Sequence, residues 1–306
     1  MGNFNMITVL GHTAGGKTAL AANAALLFDG EIISADSRQV YRGMNLGTGK
    51  DYDDYLLEGK EICYHLIDIV DAGYEYNVFE FQKDFTQAFN KIEEKGLLPI
   101  LCGGSGLYIE SVLRNYKLVN VPVDKLLRER LDTLSMKELV DILNSFGPVH
   151  NTTDTESRKR AIRAIEILKY QQENEVEETV VPELSSLVVG LNFEREERRS
   201  RITRRLHQRL DEGMVGEAKI LMEQGVDAAK LEYYGLEYKY LSQYITGILS
   251  YDQMVTELNS AIHRFAKRQM TYFRGMERRG IQIHWMDGEL SMKEKMAQIK
   301  EWYTAT

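Results

Sequence analysis

The stretch MITVLGHTAGGKTALAANAALLF, Met6–Phe28, decides how the rest of the chain is read. Met6–Leu10 is a short, wholly apolar run of the kind that forms a strand buried on both faces. Thr18–Phe28 is rich in Ala and Leu and reads as a helix. Between them Gly11-His12-Thr13-Ala14-Gly15-Gly16-Lys17-Thr18 fits G-x-x-x-x-G-K-[ST] in the strand–loop–helix context that motif requires. The glycines let backbone N–H groups turn inward around phosphate oxygens, and the helix N-terminus adds its partial positive charge. Lys17 contributes a point charge and the Thr18 hydroxyl a ligand for Mg²⁺. Gly11 to Thr18 is therefore expected to cradle a phosphate or pyrophosphate.

Further along, the chain keeps alternating. Glu31–Ala35, His65–Val70 and Leu97–Cys102 read as strands, and Val78–Lys95 as a helix stopped by Gly96. From about Leu113 strand character disappears, and Arg160–Tyr170 places Ile162, Ile165 and Ile167–Leu168 at helical spacing. Gln171–Glu183 holds five glutamates and no cation, as a solvated loop would. Leu187–Phe193 and Ile281–Met286 return to strand character. The expected fold is α/β: a P-loop NTPase-like parallel sheet covered by helices (1–113 and 185–306), with an all-α insertion at 114–184.

Composition sets the outer limits. The chain has 306 residues and 43% are hydrophobic, enough for a large core without covalent staples. Cys63 and Cys102 are its two cysteines, too few for a disulfide framework, so a reducing cytosol is the expected setting. The N-terminus has no signal-peptide pattern, and no run approaches the length of a membrane span. Lys and Arg number 38 against 46 Asp and Glu, a formal charge of −8 that at first sight disfavours nucleic acid. Local charge qualifies this. Acids gather at Asp51–Asp54 and Glu173–Glu183, both read as solvated loops, and cations at Arg195–Arg209 and Arg264–Arg279. Phosphate contact depends on groups within about a Debye length, roughly 8 Å in physiological salt. The acidic total then predicts weak non-specific RNA binding.

Asp36 ends the strand Glu31–Ala35 beside the P-loop, where open α/β sheets bind ligands. Its position admits three readings: metal ligand, general base, or a turn acid that caps backbone N–H groups. Six histidines show no metal spacing, and His12 reads as a packed loop residue. Both cysteines read as buried thiols. Met136, Met214, Met222 and Met254 read as core filler.

Several blocks together resemble the tRNA dimethylallyltransferase family: Ile33–Thr48 (ISADSRQVYRGMNLGT), His65–Asp71 (HLIDIVD), Gly103–Tyr108 (GGSGLY), Phe265–Arg274 (FAKRQMTYFR) and Ile283-His284-Trp285. The resemblance implies transfer of the dimethylallyl group of dimethylallyl pyrophosphate to N6 of the adenine 3′ of a tRNA anticodon, position 37. The P-loop would then hold pyrophosphate with Mg²⁺ on Thr18, and Asp36 would act as general base. Arg201 matches an arginine that contacts pyrophosphate from the opposite side. Gln39 and Ser105 match positions near the extruded adenine, and Asp36, Ser37 and Arg38 match tRNA-binding positions. Lys267, Arg268, Gln269, Thr271, Tyr272 and Arg274, with Arg160 in the insertion, match tRNA-contacting positions. A monomer with tRNA and the allylic diphosphate as partners, and no membrane, is implied. Departures are visible at GGSG, at Gly49-Lys50-Asp51, at Thr153–Arg158 and in the Tyr233–Lys239 turn. The competing functions are prenyl transfer to free adenine nucleotides, an ATP-dependent small-molecule kinase, and a catalytically silent RNA-binding protein.

Overall fold

The computed structural model describes residues 4–146, 155, 157–175 and 179–305. Its chain divides into two compact units, Met1–Asn115 with Val181–Thr306, and Tyr116–Val180.

The first unit opens with β1 (Met6–Gly11), α1 (Lys17–Phe28) and β2 (Gly30–Ser34). A 3-10 turn at Tyr52–Tyr55 leads into a small antiparallel pair, β3 (Leu56–Leu57) with β4 (Lys60–Glu61), and then β5 (Tyr64–His65). Next come α2 (Val78–Glu94), β6 (Leu98–Gly103) and α3 (Gly106–Leu113). The second unit holds α4 (Lys125–Asp132), α5 (Met136–Ser145) and α6 (Arg158–Glu173). The first unit resumes with β7 (Ser186–Asn192), α7 (Arg195–Asp211), α8 (Met214–Glu223), α9 (Ala228–Leu231) and α10 (Leu236–Ile245). The 28-residue α11 (Tyr251–Arg278), β8 (His284–Asp287) and α12 (Met292–Thr304) complete it.

Six parallel strands form one sheet in the order β5-β2-β6-β1-β7-β8, with β1 central. The period-2 alternation of side chains sorts the strand residues between two cores. Met6, Leu10, Ile33, Leu101 and Val188 face a core built with α2, α3, α8, α10 and α11. Ile7, Val9, Ile32, Ile100 and Val189 face the other, covered by α1 and α12. Burial on both faces is why these strands read as continuous apolar runs. Helix starts follow local chemistry: Asn77 with Glu80, Ser250 with Gln253 and Ser291 with Glu294 each close a capping box.

Two strand expectations change. His65–Val70 supplies only the end of β5, because Leu66 and Asp68 take positive φ (62° and 55°) and end the extended path. Asp68 then accepts from Tyr52 and from the buried Lys50 ammonium. At the other end of the sheet, β8 begins at His284, later than the expected Ile281.

In the second unit Leu127, Leu131, Leu139, Leu143, Ile162 and Ile165 form a separate small core. Ile167 is half-buried and takes no part in it. Glu166, which no apolar pattern marks, is buried and accepts from Arg128 (2.7 Å), Arg163 and the Asp124 N–H (2.7 Å). Burial pushes its carboxyl up, but these donors outweigh that and hold it below the usual range. The expected loop at Gln171 starts later, since α6 runs to Glu173, and Val181 is buried in the core of the first unit. Residues 176–178 of that stretch, and 153, 154 and 156 of the Thr153–Arg158 departure, lie outside the described residues.

Candidate active site

β1 delivers the chain to the P-loop at the C-terminal edge of the sheet. Gly16 takes φ 75° there, a left-handed conformation that a side chain would strain, and α1 starts at the next residue. Lys17 folds back so that Nζ donates to the His12 carbonyl (2.8 Å), and burial lowers its pKa from the usual lysine value. His12 is fully buried, with Nδ1 2.6 Å from the Thr13 carbonyl and its ring edge-on to Phe193. Burial, together with the charges of Lys17, Arg198 and Arg201, brings its pKa down to about 4. The ring is neutral at pH 7, and the Nδ1 contact makes Nε2 the acceptor nitrogen. Nε2 has no partner among the described residues.

The GGSG turn after β6 forms the neighbouring wall. Gly103 approaches Ala35 so closely that a Cβ would overlap the Ala35 carbonyl. Ala35 N donates to Cys102 O (2.7 Å) and Ser105 N to Ala35 O (3.2 Å), which ties the turn to the end of β2. Ser105 Oγ accepts from Ser37 N (3.0 Å). Asp36 Oδ1 accepts from Arg38 N (2.9 Å). The turn-acid role is therefore real, and it fixes a carboxylate that also borders the cavity. Gln39 donates to Gly49 O (2.9 Å) and pairs with Ser34 (3.0 Å).

These elements surround a cavity of about 640 Å³. Thr13, Lys17, Thr18, Asp36, Ser37, Arg38, Gln39, Ser105, Arg268, Gln269 and Tyr272 all line it. Chain positions more than two hundred residues apart meet here. Gln269 is the joint: its Oε1 accepts from Thr13 N (2.9 Å), and its Nε2 donates to Gly104 O (3.0 Å). It is 7% exposed, so it is turned inward to brace two loops and is not displayed on a surface. Tyr272 is braced as well, donating to Glu110 (2.7 Å), with the Arg279 guanidinium over its ring. Its neighbour Phe273 is fully buried in the core.

Lys267, Thr271 and Arg274 are exposed on α11 and do not border the cavity. Arg160 is exposed in the first turn of α6, in the second unit. Arg201 lies against the flank of the P-loop. Its Nε donates to Ala14 O (3.2 Å), and its guanidinium stacks on Phe193.

The cavity wall contains cations not singled out by the sequence reading. Arg205 and Arg209 follow Arg201 at i+4 and i+8 and so share its face of α7. Both border the cavity, and both ion-pair with Asp51. The i+4 spacing was the available signal. Burial, with Arg209 alongside, brings Arg205 to about 10, so it stays charged at neutral pH. The expectation that Asp51–Asp54 is a solvated loop is corrected by this pairing and by the 3-10 turn that carries it. Glu237 also borders the cavity, and burial pushes its carboxyl above the usual range. Cys102 is buried as expected, whereas Cys63 is exposed. Met214 and Met254 are fully buried, and Met136 and Met222 pack partly against the cores.

A cradle of N–H groups with Lys17 can hold a diphosphate, Arg205 and Arg209 add positive charge, and Asp36 offers a base within the same enclosure. For Mg²⁺, the hard hydroxyl oxygen of Thr18, at the end of the P-loop and bordering the cavity, suits the ion.

Residues 39–276 match the family model described as IPP transferase. The chain is 56% identical over 301 residues to tRNA dimethylallyltransferase 2 of Bacteroides fragilis, covering 98% of each. It superposes on the crystal structure of the tRNA isopentenylpyrophosphate transferase of Bacillus halodurans with a TM-score of 0.72. That pair is 31% identical, with 98% of this chain and 95% of the other covered. A eukaryotic dimethylallyltransferase acting on tRNA shares the fold, with a TM-score of 0.71 at 22% identity and coverage of 98% and 79%.

Proposed function

The chain belongs to the IPP transferase family, and from that premise we propose how its cavity carries out the reaction. The protein is a tRNA dimethylallyltransferase, a prenyltransferase that modifies tRNA. The observation that carries the mechanism is that the P-loop, Asp36 and the Arg205–Arg209 pair border one cavity.

The donor is dimethylallyl pyrophosphate, with its diphosphate on the amides of Gly11–Thr18 and on Lys17. The Thr18 hydroxyl would hold Mg²⁺, which would neutralise charge on the departing pyrophosphate. Arg205 and Arg209 face the same charge across the cavity, and Arg201 supports the loop from its flank. The acceptor is N6 of the adenine 3′ of the anticodon. That base must leave its stack to enter, at a cost of a few kcal/mol that is least in an unpaired loop. Ser37, Arg38, Gln39 and Ser105 border its half of the cavity, and Arg268 and Tyr272 its mouth. As the allylic C–O bond breaks and the N6–C bond forms, Asp36 takes the N6 proton and pyrophosphate leaves. The exposed Lys267, Thr271 and Arg274, and Arg160 of the helical unit, contact tRNA outside the cavity. The reaction takes place in the reducing cytosol, in keeping with two free thiols. It is carried out by a monomer.

The test is incubation with labelled dimethylallyl pyrophosphate, Mg²⁺ and either whole tRNA or AMP. Label is expected in tRNA; label in AMP alone would overturn the acceptor assignment. Asp36→Ala is expected to bind tRNA normally and to lose at least about 10²-fold in rate, the scale of a general base. Normal turnover would leave Asp36 with its turn role alone.

A further inference from the structure

Away from the cavity, at the edge of the sheet, three side chains of different chemistry converge. β5 is the edge strand, paired to β2 with Tyr64 opposite Ile32 and His65 opposite Ile33. The Ile32 N–H also donates to the Cys63 carbonyl (2.9 Å), which extends the pairing by one residue. Side chains two apart on a strand share a face. Cys63 and His65 therefore point the same way, and Tyr64 goes to the opposite face, where it packs on Tyr55. Glu31, two residues before Ile33 on β2, shares the face of Cys63 and His65. Backbone pairing alone brings a thiol, an imidazole and a carboxylate together.

The distances follow. His65 Nε2 lies 2.7 Å from Glu31 Oε2 and 3.9 Å from Cys63 Sγ. The three potential ligand atoms all lie within 4.8 Å of one another. Around a tetrahedral ion with bonds of about 2.0–2.3 Å, ligand atoms sit roughly 3.3–3.6 Å apart. Small rotamer changes close that difference. Glu31 is 6% exposed and fixed, His65 is half-buried and Cys63 is exposed, so the fourth direction is open to water. Lys95, just past α2, now supplies the positive charge, with Nζ 2.7 Å from Glu31 Oε1. A buried carboxylate, already held by the Lys95 ammonium and flanked by a thiol and an imidazole, suits a metal ion in place of that ammonium.

We propose that Glu31, Cys63 and His65 form a binding site for a thiophilic divalent cation of the zinc class. Thiolate and imidazole donors select such ions over Mg²⁺, which prefers oxygen and near-octahedral geometry. On binding, the Cys63 thiol gives its proton to solvent, a metal–sulfur bond forms, and Lys95 loosens from Glu31. The ion pins the edge strand to β2 from a place separate from the reaction, since none of the three ligands borders the cavity.

The probe is Co²⁺, titrated into the metal-stripped full chain with Mg²⁺ in excess. A sulfur-to-cobalt charge-transfer band in the near-ultraviolet, with tetrahedral visible bands, is expected to saturate at one equivalent and to bleach when Zn²⁺ is added. Cys63→Ser abolishes the band, Cys102→Ser leaves it, and His65→Ala weakens Co²⁺ binding by at least about tenfold. Cys63 is exposed, so Cys63→Ser should fold, and retained prenyl transfer checks that. Cys102 borders the cavity, so a sulfur band lost in Cys102→Ser and kept in Cys63→Ser places the cobalt on the P-loop side and overturns the site. Absence of the band in the native chain, or its persistence in Cys63→Ser, overturns the site.

Discussion

Replacing Gln269 by Ala tests whether the two phosphate-side loops are held together by one amide. Gln269 makes bonds of 2.9 and 3.0 Å to Thr13 N and Gly104 O from a position that is 7% exposed. The substitution removes both partners at once. The Gly104 carbonyl is left buried without its donor, at about 1–3 kcal/mol, and the half-buried Thr13 N–H loses about 1 kcal/mol. A total of about 2–4 kcal/mol, at a urea slope near 3 kcal/mol/M, moves the unfolding midpoint down by about 1 M. The P-loop and the GGSG turn also lose their common reference, and misplacement of that kind costs about 10–100-fold in kcat/KM for the allylic diphosphate. Gln269→Glu separates the two bonds. A carboxylate still accepts from Thr13 N but sets a second acceptor against Gly104 O, so it is expected to be no better than Ala. The assays are urea unfolding followed by fluorescence and steady-state transfer to tRNA. An unchanged midpoint together with unchanged kcat/KM in Gln269→Ala would refute the bracing role.

Gly103→Ala forces a Cβ into the Ala35 carbonyl, backbone that cannot move aside cheaply, and is expected to cost about 3 kcal/mol or more in thermal or urea unfolding; a normal melt refutes it. His12 has a folded pKa of about 4, below the unfolded value of about 6.5, so between those values the unfolded chain binds more protons. Stability should fall as pH drops from about 6.5 toward 4, and His12→Leu should flatten that slope in urea titrations across the window; an unaltered slope refutes the assignment. Arg205→Ala removes a cation bordering the cavity and is expected to lower kcat/KM for the diphosphate by about 10²-fold or more. A loss confined to Arg201→Ala would place the charge requirement on the loop flank.

The sheet was legible where it is deeply buried. β1, β2, β6 and β7 are continuous apolar runs because both faces are covered, and α2 between β2 and β6 begins at a recognisable cap. Legibility failed at the edges, where pairing partners and turns decide. β5 stops because Leu66 and Asp68 leave the extended region, and nothing in HLIDIV signals that. The P-loop and Asp36 were readable because their motifs are contiguous, so backbone geometry alone gives them their direction. Asp51 was not: its acids look solvated until α7 lies beside them and Arg205 and Arg209 take the charge.

Charge shows the division most clearly. Totals and local runs suggested acids in loops and cations elsewhere, whereas the fold pairs Asp51 with the very arginines that border the cavity. By itself the sequence determined the strand–loop–helix that cradles phosphate, the acid at the end of β2, the family, and the helical character of the insertion. These are properties of neighbours along the chain. Only the tertiary structure decided that Gln269 braces Thr13 across 256 positions, that Arg205 and Arg209 join the cavity, and that Cys63 and His65 meet Glu31. Those meetings depend on strand order and register, which emerge only when separate apolar faces find a common core.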